Sequence, residues 1–409
     1  MSSPDVLELD GHRVTVTHPD KVVFPGPGLT KRDLLQYYLT VADGALRGVG
    51  DRPMILKRFV KGVEHEAFFQ KRAPSRRPPW IRTAELRYRS GTSAEEVVVA
   101  NVASLAWVVN LGCVDLNPHA VRADDLDHPD ELRIDLDPVP GVPWSDVIAV
   151  ALTARDVLVE NGLTPWPKTS GSRGFHVYAP IEPRHSFSQV RSAAHAVARE
   201  VARRVPHLAT AEWWKEERHG VFVDFNQNAK DRTVASAWSV RPTPDARVSM
   251  PLTWDEVPRA RPADHTVRSS ACRFVEQGDP WRGMHAGAAP LEPLLELAES
   301  LGPAPSHPRA PGTRGTGEGR RRPAKPLVEI ARAASESAAL DALEQWKRAH
   351  PAAAASLAPA DVLVDRMRGR SSLWYRVRVN LEHVAPEDRP GQETLIVDYD
   401  PWQGWPRSL

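Results

Sequence analysis

One short stretch constrains this chain more than any other: LRIDLDP, residues 132–138. Leu132, Ile134 and Leu136 alternate with Arg133, Asp135 and Asp137, the period-two signature of a β-strand. The apolar face orients the strand by packing into a core. The opposite face carries two carboxylates side by side, which repel each other and are costly to bury unpaired. The chain must therefore supply water, arginines or metal ions at that face. Pro138 can end the strand just past Asp137, which leaves both acids at the rim of a cleft.

Around this strand, residues 1–300 alternate strand-like and helix-like stretches, a pattern that predicts α/β (α+β) layers. RVTVTHPDKVVF (13–24) reads as a strand and a turn, and RPMILKRFV (52–60) as one short strand. Thr30 is placed to cap a helix over KRDLLQYYLTVA. SLAWVVNLGCVDL (104–116) reads as a helix or a buried strand, with the helix favoured, and 145–161 and 187–205 read as helices. RGFHVYAPI and GVFVDFN read as strands that accompany ELRIDLD. Residues 303–326 are rich in Pro, Gly and Arg and lack large apolar side chains, which predicts a flexible basic linker over 301–326. Residues 327–409 then form a small C-terminal module or tail. It holds a helix (335–349), a strand at LWYRVRVNL (373–381) and a further strand in ETLIVDYD.

The 409 residues carry 53 Lys plus Arg and 52 Asp plus Glu, so any basic surface must come from local clustering. Two cysteines, Cys113 and Cys272, are too few for a disulfide framework or a four-cysteine zinc site, and both read as buried thiols. No run reaches the ~18 apolar residues that cross a bilayer, and the N-terminus has no signal-peptide pattern. The reading is a soluble cytoplasmic protein.

Four motifs carry chemistry. The Asp135–Asp137 pair suits Mg²⁺ or Mn²⁺, and a third acid from elsewhere would allow two ions ~3.5–4 Å apart. A solvated strand end or a pair met by arginines fits the same short pattern. PKTSGSRGFHVYAP (167–180) sends a Ser/Gly turn into a strand, offering backbone N–H groups, Ser170, Arg173 and His176 to an anion, although an ordinary hairpin has the same look. In HGVFVDFNQNAKDRTVASAWSVRP (219–242), Asp224 stands inside an apolar strand and wants a metal or an arginine, while Gln227 and Arg241 follow. RPMILKRFVKGVEHEAFFQKRAPSRRPPWI (52–81) interleaves Lys57 and other cations with Phe68, Phe69 and Trp80, as single-stranded nucleic acid requires, or as amphipathic packing would.

In order and together, THPDKVVFP…TKRDLLQYY, RPMILKRF…EAFFQKRAP, RIDLDP, KTSGSRGFHVY and VFVDFNQNAKDRTVASAWSVR resemble the polymerase domain of bacterial ATP-dependent DNA ligase D, of the archaeo-eukaryotic primase superfamily. The resemblance covers residues 5–295. It implies a primase-polymerase core with an RRM-like antiparallel or mixed sheet flanked by helices. It implies that Asp135, Asp137 and Asp224 are a catalytic metal triad. It further implies that Lys57, Phe68, Phe69, Ser170, Arg173, His176, Arg218, Gln227 and Arg241 contact the incoming nucleotide, and that Lys21 and Lys31 grip a 5′-phosphate. Arg173 stands where the family often has lysine, and Asn117 near a position where it often has histidine. No K-x-D-G ligase motif is present, so the expectation is a stand-alone member.

The activity implied is template-dependent nucleotidyl transfer onto a primer 3′ end, from NTPs or dNTPs and with two Mn²⁺ or Mg²⁺ ions, in gap filling and end processing during DNA break repair. The implied setting is a bacterial, nucleoid-associated monomer on gapped or 5′-phosphorylated DNA, with a Ku-type end-binding protein and a separate ligase as partners. A metal-dependent phosphoesterase or nuclease and a non-catalytic DNA-end-binding module are the competing classes.

Overall fold

The computed structural model describes residues 5–88, 91–303, 325–368 and 373–401. They divide into two compact units. The larger comprises residues up to 138, 144–211 and 221–304. The smaller comprises 139–143, 212–220 and the C-terminal segment from 305.

The larger unit is built on a five-stranded sheet, in the order Trp166–Thr169, Phe175–Pro180, Glu131–Pro138, Val221–Asp224, Ala209–Thr210. Neighbours run antiparallel except the last pair, which is parallel. The acid strand, Glu131–Pro138, is thus central. Leu132, Ile134 and Leu136 are completely buried, and the helices Trp144–Glu160 and Phe187–Arg204 pack on the sheet and on each other. The second helix starts at a Ser186–Gln189 capping box, which satisfies its first free N–H groups. This is the expected mixed α/β architecture, with an RRM-like sheet.

The N-terminal part adds a hairpin (Asp5–Leu9 with His12–Val16), a three-stranded sheet and the hairpin Leu56–Arg58 with Phe68–Gln70. Thr30 caps the helix Lys31–Thr40 as expected, reciprocally with Asp33. Three expectations need correction. RPMILKRFV is two strands: Arg52–Met54 joins one sheet, and after Ile55 Leu56–Arg58 joins another. The helix placed over 104–116 is Val102–Asn110. Gly112 turns left-handed at φ +91°, and the apolar residues beyond it are buried without being helical, because an apolar run reports burial rather than periodicity. Cys113 is buried as expected, but Cys272 is exposed. It sits on the outer side of the helix Val267–Gln277, whose buried positions are Val267 and Ser270.

The smaller unit contains a four-stranded sheet in the order Val362–Arg368, Leu373–Asn380, Leu327–Ala333, Val397–Asp398. The helix Glu336–Ala349 packs Leu343 and Trp346 against Val328, Ile330, Tyr375, Val377 and Val379. Asp365 takes Lys215 (2.8 Å) and the guanidiniums of Arg376 and Arg378, while Arg378 also reaches Glu216 at 3.3 Å. Most of the expected linker (304–324) and the end of the tail (402–409) lie outside the described residues.

Candidate metal and nucleotide site

Strand register assembles the site. Asp135 stands directly opposite Asp224 on one neighbouring strand and opposite His176 on the other, and His176 stands opposite Lys168. Directly opposed residues share a face, so Lys168, His176, Asp135 and Asp224 form one row across the sheet. Asp137, two residues on, shares that face at the strand end. One carboxylate oxygen each from Asp135, Asp137 and Asp224 lies within 4.8 Å of the others.

Like charges directly opposed destabilise a sheet unless something neutralises them. Burial, reinforced by the charge of Asp224, pushes the Asp135 carboxyl up to about 7, against the pull of Lys168 and Arg241. His176 Nε2 lies 3.1 Å from Asp135 Oδ1 but off the line of a hydrogen bond, so this buried oxygen has no hydrogen-bond partner among the described residues. Asp224 accepts from the backbone N–H of Asn226 (2.8 Å) and from Gln227 Nε2 (2.7 Å), which fixes its orientation. An orphaned buried carboxylate oxygen and three gathered acids are the donor set that a hard divalent cation takes. The residues present therefore fit such an ion.

A cleft of about 260 Å³ opens beside the triad. Its wall is the Ser170–Gly174 loop. Ser170 Oγ accepts from the N–H groups of Ser172 (3.1 Å) and Gly174 (3.0 Å) and closes the turn. Gly171 adopts φ +68°, and a Cβ there would sit 2.6 Å from Arg241 Cγ. A Cβ at Gly174 would meet the Leu136 carbonyl oxygen at 2.4 Å, so the loop lies against the acid strand only because residue 174 has no side chain. Arg241 donates to the Ser170 carbonyl oxygen at 3.1 Å, while its Nε is buried with no partner among the described residues.

Of the residues singled out from sequence, Asp135, Asp137, Ser170, Arg173, His176, Gln227 and Arg241 line this cleft, as does Asn117. Lys57 is outside that lining and pairs with buried Asp115 at 2.9 Å. Asp115 is buried, and its carboxylate is packed away as the lysine's counter-charge. Phe68 and Phe69 are adjacent and both exposed, at 58% and 47%. Lys31 is nearly buried and donates to the carbonyl oxygens of Thr17 (2.7 Å) and Asn110 (3.0 Å); Lys21 bonds to the Val60 carbonyl oxygen. Burial, with the charges of Lys21 and Arg58, pulls the Lys31 pKa down to about 8. Arg218 belongs to the smaller unit, where its guanidinium donates to the carbonyl oxygens of Glu212 and Trp213.

Sequence reasoning passed over Lys168, which is completely buried in the row itself, and Thr233, Val234 and Ala235, which line the cleft. A lysine inside the short WPKT strand was the available signal, because a buried amine needs acceptors.

Fold and site together define a class: an α/β protein with a carboxylate triad on its central sheet, beside a cleft walled by arginines and a glycine turn. Within that class the chain belongs to the LigD primase-polymerase domain family, whose pattern it matches over residues 30–281. It is 34% identical over 292 residues to the multifunctional non-homologous end joining protein LigD of Mycolicibacterium smegmatis, covering 71% of this chain and 37% of that protein. It is 28% identical over 292 residues to the bifunctional non-homologous end joining protein LigD of Bacillus subtilis, covering 71% and 47%. The chain thus spans less than half the length of these relatives. Among solved structures, the polymerase domain of Mycobacterium tuberculosis ligase D in complex with DNA matches with a TM-score of 0.64 and 32% identity. That match covers 68% of this chain and 99% of the domain.

Proposed function

We propose that this chain is a template-dependent nucleotidyltransferase that extends primer 3′ ends with NTPs or dNTPs, filling gaps and processing ends in DNA break repair. The observation that carries the reading is the carboxylate triad, with oxygens within 4.8 Å of one another, beside a cleft of about 260 Å³ with arginine on its wall. Asp135, Asp137 and Asp224 would hold two Mg²⁺ or Mn²⁺ ions. Bound there, the ions supply Lewis acidity, lowering the pKa of the attacking hydroxyl and neutralising charge on the phosphates.

The protein's own residues bind and orient. The unpartnered Arg241 Nε and the exposed Arg173 meet triphosphate oxygens, and the Ser170 hydroxyl and the loop around it add short-range donors. Gln227, held by Asp224, links the nucleotide pocket to the metal ligands. Lys57, paired with Asp115, adds positive charge for the nucleotide, and exposed Phe68 and Phe69 stack on nucleotide and template bases. Lys21 and Lys31, with Arg58 close by, gather positive charge for the 5′-phosphate of a downstream strand. A Ku-type end-binding protein and a ligase would act on the same ends.

The test is extension of a primer on a gapped, 5′-phosphorylated duplex, with NTPs and dNTPs in parallel. One-nucleotide extension matched to the template supports the reading. Primer shortening in the same buffer overturns it in favour of hydrolysis, and DNA binding without either reaction overturns it in favour of an end-binding module.

A further inference from the structure

The two acid-bearing strands each join a loop that belongs to the smaller unit: Pro138 leads into 139–143, and 212–220 leads into Val221. The ladder between these strands spans four pairs, from Asp135 opposite Asp224 to Pro138 opposite Val221. The next bond along it, from the Val139 N–H to the Gly220 carbonyl oxygen at 2.9 Å, joins the two loops. A ladder this short that begins with two opposed carboxylates is weak without a cation, because like charges directly opposite one another push strands apart. The loops at its other end are where the pairing can be held.

One strand of the C-terminal sheet, Val362–Arg368, and the turn before it meet both loops. Asp365, buried on that strand, takes Lys215 Nζ at 2.8 Å. Asp365 also accepts from Arg378 at 2.9 Å, and Arg378 Nη1 reaches the buried Glu216 at 3.3 Å. The loop is bonded to itself as well: Arg218 donates back to the Glu212 and Trp213 carbonyl oxygens, and Lys215–Glu217 is a 3₁₀ turn. Only residues 217–220 separate this anchored turn from the strand that ends in Asp224. The turn Pro359–Asp361 lies against the other loop, where a Cβ on Gly141 would stand 3.5 Å from the Pro359 ring. A buried ion network of this kind adds little net stability and is better suited to fixing one geometry.

From this connectivity we infer that Asp365 and Arg378 are positioning residues for the metal site. They anchor the loop that leads into Asp224, and with it the end of the ladder, so that the acids are held together before an ion arrives. The C-terminal module thereby braces the acid-bearing strands and lowers the concentration of divalent cation at which they fill. The inference rests on the metal-site part of the proposed function, but the brace is readable without turnover.

Hydrogen–deuterium exchange over 221–224 in the metal-free full chain reads it directly. Two cuts come from opposite sides. Lys215→Met with Glu216→Gln removes the loop's charges and leaves Asp365 paired with Arg376 and Arg378 inside the sheet. Asp365→Asn removes the sheet's charge. Each cut should speed exchange over 221–224 roughly tenfold, with saturating Mn²⁺ restoring protection. Each should also raise the Mn²⁺ dissociation constant, measured by calorimetry without DNA or nucleotide, roughly tenfold, the low end for groups outside the ligand set. Primer extension should show the same rise in Mn²⁺ requirement, with kcat at saturating Mn²⁺ within about twofold of wild type. Lys215→Arg, which keeps the charge, should behave as wild type. Should Asp365→Asn unfold the C-terminal sheet, the loop-side cut decides alone. A folded loop-side variant that exchanges over 221–224 and binds Mn²⁺ as wild type does overturns the inference. A wild-type protein that binds Mn²⁺ but incorporates no nucleotide defeats the polymerase reading instead, and exchange and calorimetry still decide the brace.

Discussion

The two ends of one strand face hold opposite electrostatic arrangements. At the start of the acid strand, Glu131 is met by Arg52 and Arg133, each at 2.8 Å, and neighbouring Asp130 by Arg52 (2.6 Å) and Arg122 (2.7 Å). Burial alone would raise the Glu131 carboxyl, but Arg52 and Arg133 outweigh it and hold it below the usual range. Four residues along the same face, Asp135 is buried beside another acid and is pushed up to about 7. The first end is a completed ion network whose charges neutralise each other. The second is an incomplete one, in which Lys168 and Arg241 do not offset burial and the neighbouring acid, so the carboxyl holds its proton unless further positive charge arrives. Burial is common to both, so what distinguishes a structural acid from a functional one here is whether the chain supplies its counter-charge.

Breaking each end should give different losses. Asp137→Ala or Asp224→Ala should lower nucleotide incorporation by roughly 10³-fold or more, with a melting temperature at or above wild type because a repulsion is removed. Primer extension and a thermal melt on the same sample check both halves. Arg52→Ala should do the reverse: a loss of about 3–5 kcal/mol in denaturant unfolding, since it takes one of two counter-charges from buried Glu131 and from Asp130, with activity retained in whatever fraction folds.

Titration sharpens the contrast further. The Asp135 carboxyl is raised from 3.8 to about 7, so the folded chain keeps a proton that the unfolded chain releases. Stability without metal should fall as the pH rises from about 4 to about 7 and level off above that. Glu131, held low, contributes in the opposite sense: its stabilisation is present above the unfolded carboxylate pKa and is lost in acid. Because a cation must displace the Asp135 proton, the Mg²⁺-induced rise in melting temperature should be larger at pH 8 than at pH 6, and Asp135→Asn should abolish that difference. The smallest effect concerns the gathered cations. Lys31, at about 8, loses its charge as the pH rises, so the preference for 5′-phosphorylated gaps should shrink roughly two- to threefold between pH 7 and pH 9. Equal preference at both pH values would remove Lys31 from phosphate recognition.

Much of this site was legible before any coordinates, for identifiable reasons. The alternation of Leu132, Ile134 and Leu136 with polar neighbours is a local property, and it placed Asp135 and Asp137 on one face correctly. Order of motifs along the chain pointed to Asp224. What could not be read was register: that Asp224 lies directly across from Asp135, and that Lys168 closes the row, depends on pairing between distant strands. The exposure of Cys272 and the early stop of the helix at Asn110 were missed because composition reports how apolar a stretch is without saying where its backbone turns. Lys57 reads in the sequence as one cation of a basic run, yet its ion-pair partner, Asp115, comes from a segment 58 residues away.

The smaller unit is assembled from three separate pieces of chain, two of them short loops of the polymerase-like region. Glu216, almost fully buried, has its carboxylate against Arg378, and Lys215 reaches Asp365. The smaller unit is therefore discontinuous along the chain. Shortening the chain near residue 300 would strip buried Glu216 and its neighbour Lys215 of the partners they fold against. Moving this C-terminal piece to another protein would require segment 212–220 to travel with it.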